Sequence, residues 1–134
     1  TDEDLEVIRR AGVDVLGDRS DMPSLYAASD VVVLPSWREG LPRVLIEGAA
    51  MARPLIASDV RGCREVVVVP DGGELVPVRS ASALADALVR WANDPRRRAA
   101  AGAFNQARAR KLYDVTAVTA KVEQTYLRIL EPRP

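Results

Sequence analysis

The sequence predicts an α/β fold, a parallel sheet with helices on both faces. Two apolar runs, Val31–Leu34 and Leu55–Ala57, show no polar alternation, so strands there have both faces buried. Between the runs lie segments with helical periodicity and capping residues at their starts. Gly or Pro stands at most junctions. Short strands alternating with helices are the pattern of a parallel sheet, because parallel neighbours need a crossover.

The chain's 134 residues suffice for one domain with a core, and 48% of them are hydrophobic. Lys+Arg and Asp+Glu number 19 each, so net charge gives no support to a nucleic-acid or membrane-surface partner. Cys63 is alone, which excludes an internal disulfide. The absence of His excludes serine-hydrolase triads and His-ligated metals, and no metal site is expected. No apolar run reaches the ~18 residues of a membrane span, and the acidic start Thr1-Asp2-Glu3-Asp4-Leu5 is not a signal peptide. A cytoplasmic location is expected, with any contact to the inner membrane surface made through a parent protein. Without an initiator Met, the chain is expected to be part of something longer.

Asp2 to Ala11 reads as a helix, with acids in its first turn and Arg9-Arg10 in its last. Gly12 ends it, and Val13-Asp14-Val15-Leu16 reads as a strand stopped by Gly17. Asp21 suits the cap of a short helix with Pro23 in its first turn. The second strand is Val31–Leu34, and Leu55-Ile56-Ala57 is the third. Cys63–Val67 fits either a helical turn or a continued apolar segment. Pro70-Asp71-Gly72-Gly73 is a turn, and Glu74–Val78 is a last strand, at an edge because of Pro77. Ser82 is expected to cap a helix whose apolar face is Leu84, Ala87, Leu88 and Trp91. Asp94-Pro95 opens a helix to about Lys111, with Arg96-Arg97-Arg98 as a solvated face. Thr116 to Leu130 forms a final helix with Val118, Val122, Tyr126 and Ile129 on one stripe, before Pro132 and Pro134.

The chain is organised around Glu39-Gly40-Leu41-Pro42-Arg43-Val44-Leu45-Ile46-Glu47. A strand closed by Pro35 leads into a glycine-containing turn and then a helix starting near Arg43. That arrangement aims free backbone N–H groups and the positive end of a helix dipole above the turn, where an anion is favoured. Glu39 and Glu47, eight residues apart, flank it. Carboxylates do not bind anions, but they suit the hydroxyls of a sugar, which need acceptors. In parallel α/β sheets ligands bind beyond the carboxyl ends of the strands, where this turn lies. Asp59 and Arg61 lie in another strand-end loop.

Several ordered blocks now carry a resemblance. They are Leu25 through Ser36, Glu39-Gly40 through Glu47, Arg53-Pro54-Leu55-Ile56-Ala57-Ser58-Asp59, Gly62-Cys63-Arg64-Glu65-Val66-Val67 and Asp71-Gly72-Gly73. From about Val13 to Tyr126 the chain resembles the C-terminal half of a retaining "group 1" glycosyltransferase, a family with the two-Rossmann-domain GT-B fold. The resemblance implies a single incomplete nucleotide-sugar-binding domain over residues 1–134, ending in a helix and tail at 114–134. It implies that Glu47 holds the ribose hydroxyls and that Glu39, the catalytic candidate, sits by the donor sugar. It also implies that the backbone from Gly40 through Leu41, Pro42, Arg43 and Val44 approaches sugar and diphosphate, while the loop at Gly17 lies near the base. No cofactor is implied beyond the donor itself. The Leu41-Pro42-Arg43 variant is similar to a subgroup acting in bacterial surface polysaccharide assembly, which favours a UDP-sugar. The acceptor, a glycan or lipid-linked sugar, would bind through a missing N-terminal domain.

The chain departs from the family pattern in three places. Pro42 stands where Gly is common and removes one amide donor. Gly48 stands where Ala is common and costs ~0.5–1 kcal/mol of helix propensity unless packing compensates. The glycine-rich turn and basic pair that neutralise the diphosphate are absent, along with their two strands. One missing strand would lie beside Val31–Leu34, so that edge is expected to be open and to favour a homo-oligomer. The isolated chain is expected to be inactive. Two other readings stand beside this one: a non-catalytic nucleotide-binding or interaction module, and a sugar-nucleotide epimerase-like enzyme. The second needs acid/base residues that this His-free sequence does not obviously supply.

Overall fold

Three of the four expected strands form. The computed structural model describes residues 1–130. Their elements, in order, are α1 (Asp2–Arg10), α2 (Met22–Ala28), β1 (Val32–Leu34), α3 (Arg43–Ala50), β2 (Leu55–Ser58), α4 (Arg61–Val66), β3 (Gly73–Val76), α5 (Ala81–Ala92), α6 (Pro95–Tyr113) and α7 (Val115–Leu130). The strands form one parallel sheet in the order β1-β2-β3. Val32 stands opposite Leu55, and Leu55 opposite Gly73.

Val13–Leu16 is not a strand. A strand needs a neighbour for its backbone groups. No described residue pairs with this stretch, and Val13 and Leu16 are each 54% exposed. β1 has a partner only in β2, so its other edge is open among the described residues. β3 is the other edge, as Pro77 implied, and it ends before that proline.

Residue alternation along the strands sorts the core into two layers. Leu55 and Ala57 pack with Tyr26, Val32, Leu45, Ala49, Cys63 and Val66. Ile56 and Val76 face the other way, onto Ala87, Trp91 and Ala101. So α3 and α4 cover one face and α5 the other. Gly48 is explained by packing: a Cβ there would come within 2.8 Å of Val32, so its absence lets α3 approach β1. Cys63–Val66 is helical, which resolves the ambiguity of that segment.

Helix α6 joins the two layers. Ala101 belongs to the Trp91 side and Ala109 to the Leu45 side. Between them, buried Asn105 donates to the carbonyls of Arg53 (2.8 Å) and Gly72 (2.7 Å), just ahead of β2 and β3. The amino end of the sheet is thereby closed, and the carboxyl end is left for loops.

Three details differ from expectation. Ser80, not Ser82, caps α5; its hydroxyl accepts from the Ala83 amide at 3.3 Å, because the helix starts two residues earlier. Leu88 is exposed rather than packed, while Ala87 and Trp91 are fully buried. The Arg96–Arg98 run is not simply solvated. Arg97 stacks on Trp91 at 3.9 Å, and Arg98 donates to the Trp91 (2.8 Å) and Ala92 (2.6 Å) carbonyls at the end of α5. The stripe Val118, Val122, Tyr126 and Ile129 lines a shallow cavity with Leu112, and α7 buries none of its residues. Pro132 and Pro134 lie outside the described residues.

Candidate functional site

The turn Glu39–Pro42 lies at the carboxyl end of the sheet, between β1 and α3. Pro42 is the N-cap of α3 and offers no side-chain cap. The first intrahelical donors are Leu45 and Ile46, both to the Pro42 carbonyl. The amides of Arg43 and Val44 therefore precede the hydrogen-bonded part of the helix, where an anion is stabilised.

Close packing seats the turn. Gly62 in α4 lies so near the Glu39 and Gly40 carbonyls that a Cβ there would overlap both. Glu39 is half-buried on this side, beside α4. Burial pushes the Cys63 thiol pKa up, and the charge of Glu39 adds to that shift. Glu47 stands on the other side, beside α2. The Tyr26 hydroxyl donates to its Oε2 at 3.0 Å, and Arg43 to its Oε1 at 3.4 Å. Burial first, then the Glu47 carboxylate, pushes the Tyr26 hydroxyl up to about 12. The tyrosine therefore stays protonated and donating through the neutral range. Arg43 is 89% exposed on its side chain, so its pair with Glu47 contributes little.

Glu47 also lines a cavity of about 370 Å³ with Met22, Pro23, Tyr26, Ala50 and Met51. Leu41 is exposed and Pro42 buried. Gly17 has positive φ (67°), and no heavy atom lies within 4 Å of where its Cβ would be. It stands in the exposed stretch ahead of α2, apart from the turn's close packing. Asp59 is tied to Arg64 at 2.6 Å, which holds its carboxyl below the usual range.

Two positioning residues escaped the sequence reading. Tyr26 was legible only as an apolar residue of a short helix, and its link to Glu47 spans 21 positions. Gly62 was legible only as the start of a resembling block, since the approach of α4 to the turn is tertiary. Among the described residues no cluster of three acidic or thiol side chains could hold a metal, and no helix is long and apolar enough to cross a membrane.

Comparison with known proteins places this geometry among relatives. The family model described as "Glycosyl transferases group 1" matches residues 1–94. N,N'-diacetylbacillosaminyl-diphospho-undecaprenol alpha-1,3-N-acetylgalactosaminyltransferase of Campylobacter jejuni is 28% identical over 127 residues, covering 95% of this chain and 34% of that protein. UDP-Gal:alpha-D-GlcNAc-diphosphoundecaprenol alpha-1,3-galactosyltransferase of Escherichia coli is 36% identical over 80 residues, covering 60% of this chain and 21% of that protein. Among solved structures, Anabaena HepE in complex with UDP superposes with a TM-score of 0.88 at 28% identity, over 95% of this chain and 36% of that one. The chain thus spans about a third or less of the length of these proteins.

Proposed function

The chain belongs to the group 1 glycosyltransferases, and on that footing we propose that its 134 residues are the donor-binding part of a retaining transferase. The ligand is a nucleotide diphosphate sugar, with UDP favoured. The observation that carries this reading is the turn itself, which sets unpaired helix-terminus amides between two carboxylates at the carboxyl end of a parallel sheet. A diphosphate fits the amides of Arg43 and Val44. Glu47, fixed by Tyr26, accepts from the ribose hydroxyls. Glu39 accepts from the sugar hydroxyls and positions the ring. The UDP complex of Anabaena HepE and the UDP-Gal in the Escherichia coli relative's name support the choice of donor.

In the reaction, the acceptor hydroxyl oxygen bonds to the anomeric carbon. The bond from that carbon to the diphosphate breaks, and the nucleoside diphosphate leaves with the electron pair. The hydroxyl proton departs with it or to solvent. Helix-terminus amides stabilise the charge growing on the leaving group. Basic groups from outside these residues complete that stabilisation. The names of the two relatives, both acting on diphospho-undecaprenol-linked sugars, favour a lipid-linked acceptor. Because the chain spans only a third of such proteins, the 134 residues alone are expected to bind donor without turnover. The open edge of β1 is expected to favour self-association.

The test is a UDP titration followed by backbone amide NMR. UDP is expected to shift residues 40–47, and Glu47→Ala to weaken binding about tenfold or more, ~1.4 kcal/mol. If saturating UDP moves no amide of that turn, the reading fails.

A further inference from the structure

A second feature at the carboxyl end of the sheet plays no part in the reading above. Trp37 is 69% exposed, an unusual state for the largest apolar side chain. The Arg79 guanidinium lies over its ring, 4.4 Å from the centroid. Arg79 itself has φ of 61°, a left-handed backbone that a non-glycine residue adopts at a cost. Neither side chain is packed for stability, yet the backbone is held where the two meet.

Beneath them is a cavity of about 300 Å³, lined by Pro35, Trp37, Ser58, Val76, Arg79 and Leu84 among others. Pro35 and Trp37 lie just beyond β1, Ser58 and Val76 end β2 and β3, Arg79 is in the loop that follows β3, and Leu84 is in α5. The cavity lies on the α5 face of the sheet, where Leu84 packs. Glu47 and Tyr26 stand on the α3 face. Ser58 is 3% exposed at the cavity's floor and carries a hydroxyl. Among the described residues Arg79 pairs with no carboxylate, whereas Arg90 and Arg97, on the same side of the sheet, share Glu74. An exposed aromatic face takes the C–H face of a pyranose. An arginine fork without a partner takes a phosphate or carboxylate. A volume of ~300 Å³ is at the lower end of small-molecule sites and suits one sugar ring.

We propose that Trp37, Arg79 and Ser58 form a saccharide subsite for a pyranose bearing an anionic group. The ring stacks on Trp37 and the anion pairs with Arg79, which swings from the indole to meet it. The role of this sugar as acceptor rests on the transferase reading; the binding itself does not.

The chain's two tryptophans make the test direct, because Trp91 is fully buried and serves as the internal control. The ¹⁵N-labelled chain is titrated with glucose 6-phosphate, glucuronate, glucose and inorganic phosphate while both indole N–H signals are followed. Glucose 6-phosphate or glucuronate is expected to move the Trp37 indole and leave Trp91 still; which of them binds tighter identifies the anion. Glucose is expected to bind about tenfold more weakly. Arg79→Gln is expected to reduce the anionic sugars to the level of glucose, and Trp37→Ala to abolish the Arg79 side-chain shift. An unchanged Trp91 signal shows that each variant is folded. The proposal is overturned if neither anionic sugar moves Trp37, or if inorganic phosphate alone moves it as far. Glu47→Ala is expected to leave these shifts intact while losing those of UDP, so the two sites fail separately.

Discussion

The two ends of the sheet are finished in opposite ways. At the amino end, polar groups are directed at backbone. Asn105 holds the Arg53 and Gly72 carbonyls, and Arg53 donates to the carbonyls of Met51 and Ser29, both at 2.9 Å. At the carboxyl end, Pro42 leaves the start of α3 uncapped, Trp37 stands in solvent, and Arg79 has a ring but no carboxylate. Satisfying buried carbonyls avoids a penalty of ~1–3 kcal/mol each, whereas exposed polar groups gain little from one another. Stability therefore resides in the amino end, and ligand recognition is free to use the other.

The largest effect that would break this contrast is Asn105→Leu. It leaves the Arg53 carbonyl without its donor and the Gly72 carbonyl with the Leu55 amide alone, and is expected to lower stability by about 1–3 kcal/mol. Urea unfolding checks the magnitude. UDP titration of the remaining folded chain is expected to give unchanged affinity. A loss of UDP binding with little loss of stability would place function at the wrong end.

Gly62→Ala applies a steric change at the carboxyl end. The added methyl overlaps the Glu39 and Gly40 carbonyls, so the turn must move. An overpacked site costs ~1–3 kcal/mol. Because the turn is a surface loop, its displacement is expected to keep the stability loss near the bottom of that range. Its main consequence falls on the ligand, with UDP affinity down about tenfold, ~1.4 kcal/mol. Calorimetric unfolding and the UDP titration, run on one sample, separate the two. Equal stability losses for Gly62→Ala and Asn105→Leu, with UDP binding untouched, would erase the distinction between the ends.

How far each end was legible follows from its physics. The strand–turn–helix around Glu39 and Glu47 was readable because apolar runs, a glycine and a helix start are local signals. Two-sided burial was readable in β2, where every residue is buried, and less so in the edge strand β1, where only Val32 is. Val13–Leu16 had the composition of a strand, but a strand exists only with a neighbour, and composition does not supply one. The choice of Ser80 over Ser82 depended on where the preceding turn ended. Tyr26, Gly62 and Asn105 act through contacts 21 to 52 positions away, beyond any local pattern. The pairing of Trp37 with Arg79 was equally hidden, because it joins the loops after β1 and β3.

The smallest expected effect sharpens the contrast most cleanly, because left-handed residues occur at both ends. Ala52, with φ of 57°, follows the last turn of α3; the Ala52 amide donates to Ala49 and that of Arg53 to Gly48, each at 3.0 Å. This is a helix stop in which glycine is the preferred residue. Ala52→Gly is expected to raise stability by about 0.5–1 kcal/mol, read from the urea midpoint, with no change in any ligand response. At Arg79, the other left-handed non-glycine residue among those described, glycine would relieve the same backbone strain but remove the guanidinium from Trp37 and with it the response to anionic sugars. A gain at Ala52 without functional loss, beside a functional loss at Arg79, would mark the first strain as incidental and the second as part of a site. If Ala52→Gly instead destabilises the chain, its methyl is packed for stability, and left-handed strain by itself ceases to mark function at either end.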